Sequence, residues 1–285
     1  MKKFGILLGL FIALSSCSCT NYNGANDFWG LKKIDGNGKI TIEQREVKSF
    51  SKLKTSNGIN VTIEQGNANS VSVEADENVQ DHILVETEGE YLKIWADANF
   101  SNQTVKNVTI TYMNIDEIDA SSASSVVSKS VLNCNDLKID VSSAASLTSE
   151  IETKNTKIDI SSAATCNIKG KTAFLTVDAS SASTTNCAPI VCGKIKVDAS
   201  SASTINLDGE TGILEADLSS AATINAFDLV ADECNFDVSS GSSIKAYAKN
   251  SIQANASSGG SIQYKGNPKE VKSDFNSGGS VSSVN

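Results

Sequence analysis

The sequence predicts an all-β fold: a parallel β-solenoid of about nine coils of about 19 residues, preceded by a β-rich N-terminal region. Three observations carry this. From residue 118 onward one unit recurs: apolar, Asp, apolar, Ser, Ser, Ala or Gly, small, Ser or Thr, apolar. Each copy holds two short alternating segments, and period two marks strands with one inward and one outward face. No copy contains a stretch with helical periodicity.

The 285 residues carry 24 basic and 33 acidic side chains, for a formal charge of −9. Loss of Lys2 and Lys3 with a leader leaves the remainder more acidic still. A nucleic-acid binder needs basic stripes to neutralise phosphates, so this balance argues against one. The single histidine, His82, rules out multi-His metal sites. With 2 prolines and 19 glycines, collagen and Pro-rich linkers are excluded.

Taken in order, residues 1–16 read as a signal peptide. Lys2 and Lys3 precede an apolar run from Phe4 to Leu14, too short to span a bilayer, and small residues follow. Leu14-Ser15-Ser16-Cys17 resembles the lipobox of bacterial lipoproteins, which implies lipid attachment at Cys17. Cys19 is the weaker candidate, because Ser16 stands three places before it. The competing reading is a plain secreted protein cleaved nearby. Residues 17–38 are a polar tether.

Residues 39–117 hold alternating runs separated by turn signals such as Gln65-Gly66-Asn67 and Glu88-Gly89-Glu90. Lys54 to Val61 can be laid over the later repeat as a degenerate copy. A solenoid needs a cap to blunt its open edge, and this region is the candidate. The far end, near Val281 to Asn285, shows no cap and offers an edge for pairing.

Residues 118–285 are the repeats. The anchors are Asp119, Asp140, Asp159, Asp178, Asp198, Asp217, Asp237, Asn255 and Asp274, with steps of 21, 19, 19, 20, 19, 20, 18 and 19. Positions three before, one before and one after each anchor are mostly apolar and are expected inside. One unit cannot bury its own apolar face, but stacked coils bury a continuous core. Eight steps at the strand spacing give a body of roughly 38 Å.

Ser49-Phe50, the run Ser56-Asn57-Gly58-Ile59-Asn60-Val61-Thr62-Ile63, and Val71-Ser72-Val73-Glu74-Ala75-Asp76, together with the Asp-x-Ser-Ser repeats, resemble the "putative auto-transporter adhesin, head GIN domain" family. Gly58, Ile59 and Asn60 are its eponymous motif. The resemblance covers roughly residues 40–285. It implies a β-helical fold in secreted or lipid-anchored proteins of Bacteroidota-type bacteria, and it brings no catalytic residues and no cofactor.

Several features have competing readings. In-register Asp140, Asp159, Asp178, Asp198 and Asp217 would repel one another, which invites calcium. The preferred reading is structural: each Asp caps the Ser-Ser corner through the backbone N–H two residues on, with Lys138, Lys157, Lys196 and Lys272 offsetting charge. Asn167, Asn186, Asn206 and Asn225 follow their anchors by eight residues. They form either a self-satisfied amide ladder, which is preferred, or a glycan face. Cys166, Cys187 and Cys234 read as core residues. Cys187 and Cys192 could close a short loop disulfide. Cys134 and Cys192 share a repeat position three coils apart. His82 reads as a surface residue.

The sequence therefore points to a non-catalytic, lipid-anchored cell-envelope protein, on the periplasmic or surface face of the outer membrane. It would be an adhesin or scaffold that presents repetitive polar faces to glycan or protein. The alternative is a carbohydrate-active β-helix enzyme using acidic residues. A third reading is self-association through the terminal coil.

Overall fold

The computed structural model describes residues 33–101 and 103–284. The leader, Cys17, Cys19 and most of the tether lie outside the described residues. Within them the chain is a β-solenoid of about nine turns, as its period predicts. No described helix is long and apolar enough to cross a membrane.

Among the described residues twenty-one strands follow in order. The first nine are β1 (Lys33–Ile34), β2 (Ile40–Arg45), β3 (Lys52–Thr55), β4 (Asn60–Gln65), β5 (Ser70–Asp76), β6 (Ile83–Glu88), β7 (Tyr91–Ala96), β8 (Asn99–Phe100) and β9 (Lys106–Tyr112). The repeats supply β10 (Glu117–Ala120), β11 (Ser125–Ser128), β12 (Leu132–Val141), β13 (Ser146–Ile160), β14 (Thr165–Ala179), β15 (Thr184–Ala199), β16 (Thr204–Leu218), β17 (Thr223–Val238), β18 (Ser243–Ala256), β19 (Ser261–Lys265), β20 (Glu270–Phe275) and β21 (Ser280–Ser283). The two short segments expected per unit are fused: the second segment of one coil runs into the first of the next. Strands of 14 to 16 residues therefore wrap one edge of the body without interruption.

The other edge is the Ser-Ser corner. Its two central residues are both left-handed, as at Ser162 (φ 54) and Ala163 (φ 59), or Ser220 (φ 54) and Ala221 (φ 63). The corner closes with an i to i+3 bond, Ala164 N–H to Ser161 O at 3.2 Å. This is the pattern of a type I′ turn. Left-handed backbone costs an L-residue with a Cβ roughly 1–2 kcal/mol. The stack compensates: Ala144 N–H donates to Ser162 O (2.9 Å), Ala163 N–H to Ser181 O (3.0 Å) and Ala182 N–H to Ser201 O (2.9 Å). From Gly58 to Gly241 each corner thus hydrogen-bonds the next.

Inward positions fall where the repeat places them. Leu137, Ile139 and Val141 around Asp140, and Ile195, Val197 and Ala199 around Asp198, are buried. Matching residues stack in register, Asp140 on Asp159 on Asp178 on Asp198 on Asp217. Cys166, Cys187 and Cys234 are buried core residues.

The region before the repeats is wound into the same body. β3 lies between β7 and β10, and β4 between β9 and β11, all parallel. The coil made earlier in sequence is therefore sandwiched between a later one and the first repeat. Its corner, Asn57 (φ 62) and Gly58 (φ 69), stacks on the first repeat corner through Gly58 N–H to Ser122 O at 2.9 Å. Beyond β7 and β9 the sheet turns antiparallel: β6 pairs β7, β5 pairs β9, and β2 pairs β5. A 3-10 turn, Glu77–His82, buries Val79 and Gln80 at this end. His82 is in its last turn, with Nδ1 2.7 Å from Asp97 Oδ1.

Two predictions follow from the backbone. Replacing Ala163 by Gly relieves one left-handed Cβ and should stabilise the fold by about 1 kcal/mol, although Gly in a β protein ordinarily destabilises. Gly209→Ala should cost at least about 2 kcal/mol. Gly209 has φ +123, and a Cβ there would sit 2.0 Å from Ile190 O, which is backbone and cannot yield. Urea midpoints of the two variants should move in opposite directions.

Candidate binding groove and its flanking columns

The two broad faces of the body differ. On the face before the corner, the Asp column lines a shallow groove of about 570 Å³ together with Ser161, Ser180 and Ser200. The expected capping role fails here. The N–H two residues after Asp140 belongs to Ser142 and donates to Ala120 O (3.0 Å); that after Asp159 belongs to Ser161 and donates to Val141 O (3.1 Å). Coil-to-coil pairing has already consumed these donors, so the carboxylates turn outward to lysines. Lys54 reaches Asp119 at 2.6 Å, Lys196 reaches Asp198 at 2.9 Å, and Lys157 bridges Asp159 (3.0 Å) and Asp178 (3.1 Å). The carboxylates are spread along the axis. Among the described residues no three His, Cys, Asp or Glu side chains converge as a metal-ligand group.

Asp140 has no lysine of its own. Partial burial, then the carboxylates of Asp119 and Asp159, hold its carboxyl above the ordinary value of 3.8. The charged form is the disfavoured one in the folded state, so this contribution is destabilising at neutral pH. It is relieved as pH falls through the raised value toward 3.8.

The face after the corner carries neutral polar rows. Asn186 Nδ2 donates to Asn167 Oδ1 (2.7 Å), Asn206 to Asn186 (2.7 Å) and Asn225 to Asn206 (2.9 Å). Asn167 closes the ladder on Thr148 Oγ1 at 3.2 Å. The amides satisfy one another, as preferred on sequence grounds. The Gly-Ile-Asn motif fits this architecture: Gly58 is the left-handed corner, Ile59 is fully buried, and Asn60 donates to Asn107 Oδ1 at 3.2 Å.

Beside the ladder lies a groove of about 530 Å³. Its floor is the pair of 19-residue coils carrying Thr148, Glu150, Asn167 and Lys169. One wall is Ser128–Val131, in the 21-residue step, and the other is near Ala188, in a 20-residue step. The groove is therefore the depression between two longer coils. Where the extra residues enter, at Cys187 to Ile190, the register shifts and exposes Ala188 and Pro189. Sequence reasoning missed Lys129, Glu150 and Lys169; the uneven step lengths were the signal that could have found them. Glu150 is the one carboxylate lining this groove, and it pairs with Lys169 at 3.1 Å. Lys129 is exposed and has no ion pair among the described residues.

The far bend has its own device, which the sequence reading also missed. Thr172 donates to Phe174 O (3.1 Å), Cys192 to Lys194 O (3.0 Å) and Thr211 to Ile213 O (3.1 Å). The shared position of Cys134 and Cys192 is thus a bend position, with Cys134 reaching Asp136 O at 3.6 Å. Cys187 and Cys192 are free thiols, not a disulfide. Cys187 points into the core, while Cys192 turns to the bend carbonyl. Burial pushes the Cys187 thiol up to about 12, which makes it unreactive at neutral pH.

The Asp column yields a test. Asn255 already occupies the same column position. Asp140→Asn should stabilise at pH 7 by about 0.2–1 kcal/mol, the scale of like charges opposed across strands. The gain should shrink as pH falls toward 4. Urea unfolding of both proteins at pH 7 and pH 4 measures it, and a gain independent of pH would contradict the charge argument.

Three solved structures share the fold. A "putative adhesin" from Parabacteroides merdae superposes with a TM-score of 0.69 at 20% identity. A "putative lipid binding protein" from Parabacteroides distasonis gives 0.65 at 21%, and a "putative adhesin" from the same organism gives 0.64 at 18%. Each comparison covers 89% of this chain and 100% of the other. No curated protein sequence matches the chain. The family model described as "Putative auto-transporter adhesin, head GIN domain" matches residues 49–199 and 175–268, and the corner geometry of Asn57-Gly58 and the repeats it stacks on are the structural content of that match; the chain belongs to this family.

Proposed function

We propose that this protein is a non-catalytic adhesion module that holds glycan chains in the groove between its longer coils. The observation that carries this is the groove's lining. It combines amides, hydroxyls and two lysines, and its only carboxylate is tied to Lys169. Sugar hydroxyls are met by amide and hydroxyl partners, and Lys129 offers a cation to an acidic sugar. The Asn row continues through Asn206 and Asn225 on the C-terminal side, so a chain extending that way meets the same chemistry on two further coils. An extended β-linked glycan advances by close to one strand spacing per residue. Repetition then supplies avidity from individually weak contacts. The family description, an adhesin head, supports the same reading.

A carbohydrate-active enzyme would need a pair of carboxylates set apart from the repeat and flanking a cleft. The carboxylates of the Asp column belong to the repeat, and several are ion-paired. This favours binding over cleavage.

We also infer that Cys17 carries the lipid that holds the module to the envelope. The lipobox-like Leu14-Ser15-Ser16-Cys17 supports this. A neighbour described as lipid binding shares only the fold at 21% identity and does not bear on the anchor.

Glycan arrays followed by titration test the groove. Lys129→Ala and Lys169→Ala should each weaken binding about 5- to 10-fold, or about 1–1.4 kcal/mol. Lys249→Ala, an exposed lysine paired with Asp232 away from the groove, should not change it. Equal loss in all three would reject the groove. Separately, Cys17→Ser should move the protein from the membrane to the soluble fraction; unchanged partitioning would reject the anchor.

A further inference from the structure

The two ends of the solenoid are unlike. The N-terminal end is overlaid by antiparallel β6 on one face and by β5 and β2 on the other, with the 3-10 turn beside them, and β2 keeps Ile40 and Ile42 exposed. At the other end, among the described residues, β20 and β21 are paired on one side only, to β18 and β19. Their inward positions are uncovered. Val271 is 48% and Phe275 56% exposed, whereas Ile252 and Ala256, the same positions one coil earlier, are 2% and 3%.

The edge is fit for pairing. Natural edges are usually blunted by proline, bulges or inward-pointing charge. β20 reads Glu-Val-Lys-Ser-Asp-Phe, with charges outward and Val271, Ser273 and Phe275 inward. In these ladders the outward position bonds to the preceding coil, as with Lys138 N–H to Asp116 O at 2.8 Å. Backbone groups of inward residues therefore point to the following coil. On β20 those are Val271, Ser273 and Phe275, and they face the open edge.

We propose that this terminal coil is a dimer interface, in which a second copy of the chain pairs its β20 antiparallel to β20 about a two-fold axis through Ser273. The register is set by the residues. Residues opposed across an antiparallel pair share a face, so the indices of a symmetric pair must add to an even number. Centring on Ser273 places Val271 opposite Phe275 of the copy and Lys272 opposite Asp274 of the copy, twice each. Centring on Lys272 instead would oppose Glu270 to Asp274, a like-charge pair. In the Ser273 register the free backbone groups of Val271, Ser273 and Phe275 meet one another, and the two cores become continuous. Because a two-fold contact uses the same patch on both copies, the assembly stops at two and does not grow into a filament.

Charge reversal and cross-linking on the full chain test this, with mass read by light scattering after size exclusion. The wild type is expected to be a dimer. Asp274→Lys opposes Lys272 to a lysine and should give monomer. Lys272→Asp combined with Asp274→Lys restores opposite charges and should recover the dimer, which a merely unfolded variant would not do. Ser273→Cys should form a symmetric disulfide dimer on oxidation, since directly opposed residues lie about 5.5 Å apart. A monomeric wild type with no Ser273→Cys cross-link would overturn the proposal. So would a ladder of higher oligomers, which would mean head-to-tail growth, or Asp274→Lys remaining dimeric.

Discussion

The structure depends on the hydrogen bond from the third residue of each corner to the second residue of the next. It aligns the corners one above another, and it can form only if both central residues are left-handed. That requirement explains a run of Ser and Ala at φ near +55°, where L-residues are normally sparse. The strain at any one corner has no partner-free solution; the stack as a whole overdetermines it. Once corners are aligned, register is set everywhere, because a slip of one residue would turn the core faces outward.

Alignment at one edge decides where variation can go. Coils of 18 to 21 residues share identical corners, so their extra residues must leave the ladder elsewhere. They do so toward the opposite bend, where the pairing shifts at Cys187 to Ile190, at Asn206 to Asp208 and at Ala226 to Val230. The candidate groove arises from this arithmetic: two short coils lie between longer ones. Thr172, Cys192 and Thr211 hold the carbonyl two residues on at the bends of three successive coils.

Stacking like on like has opposite consequences for different side chains. Amides have a donor and an acceptor each, so the Asn column closes on itself. Carboxylates have only acceptors, so the Asp column depends on lysines from the adjacent row, and the Asp140 carboxyl is pushed up first by partial burial and then by its neighbours Asp119 and Asp159. A surface assembled this way is long, regular and mostly self-satisfied, which suits many weak contacts better than a single deep pocket.

The sequence alone determined the strand period, the inward positions, the outward Asn ladder and the corner location, because identical units stack on copies of themselves and the repeat therefore reports its own pairing. The Gly-Ile-Asn segment was legible as a degenerate copy for the same reason. The order of coils in residues 39–117 was not. β3 and β4 are inserted between later strands, a crossover that depends on which apolar faces meet in space. The fate of the N–H groups after each Asp, claimed by the neighbouring coil rather than by the carboxylate, was equally invisible. The local pattern allows either bond, and only the coil stacked beside it supplies the competing acceptor.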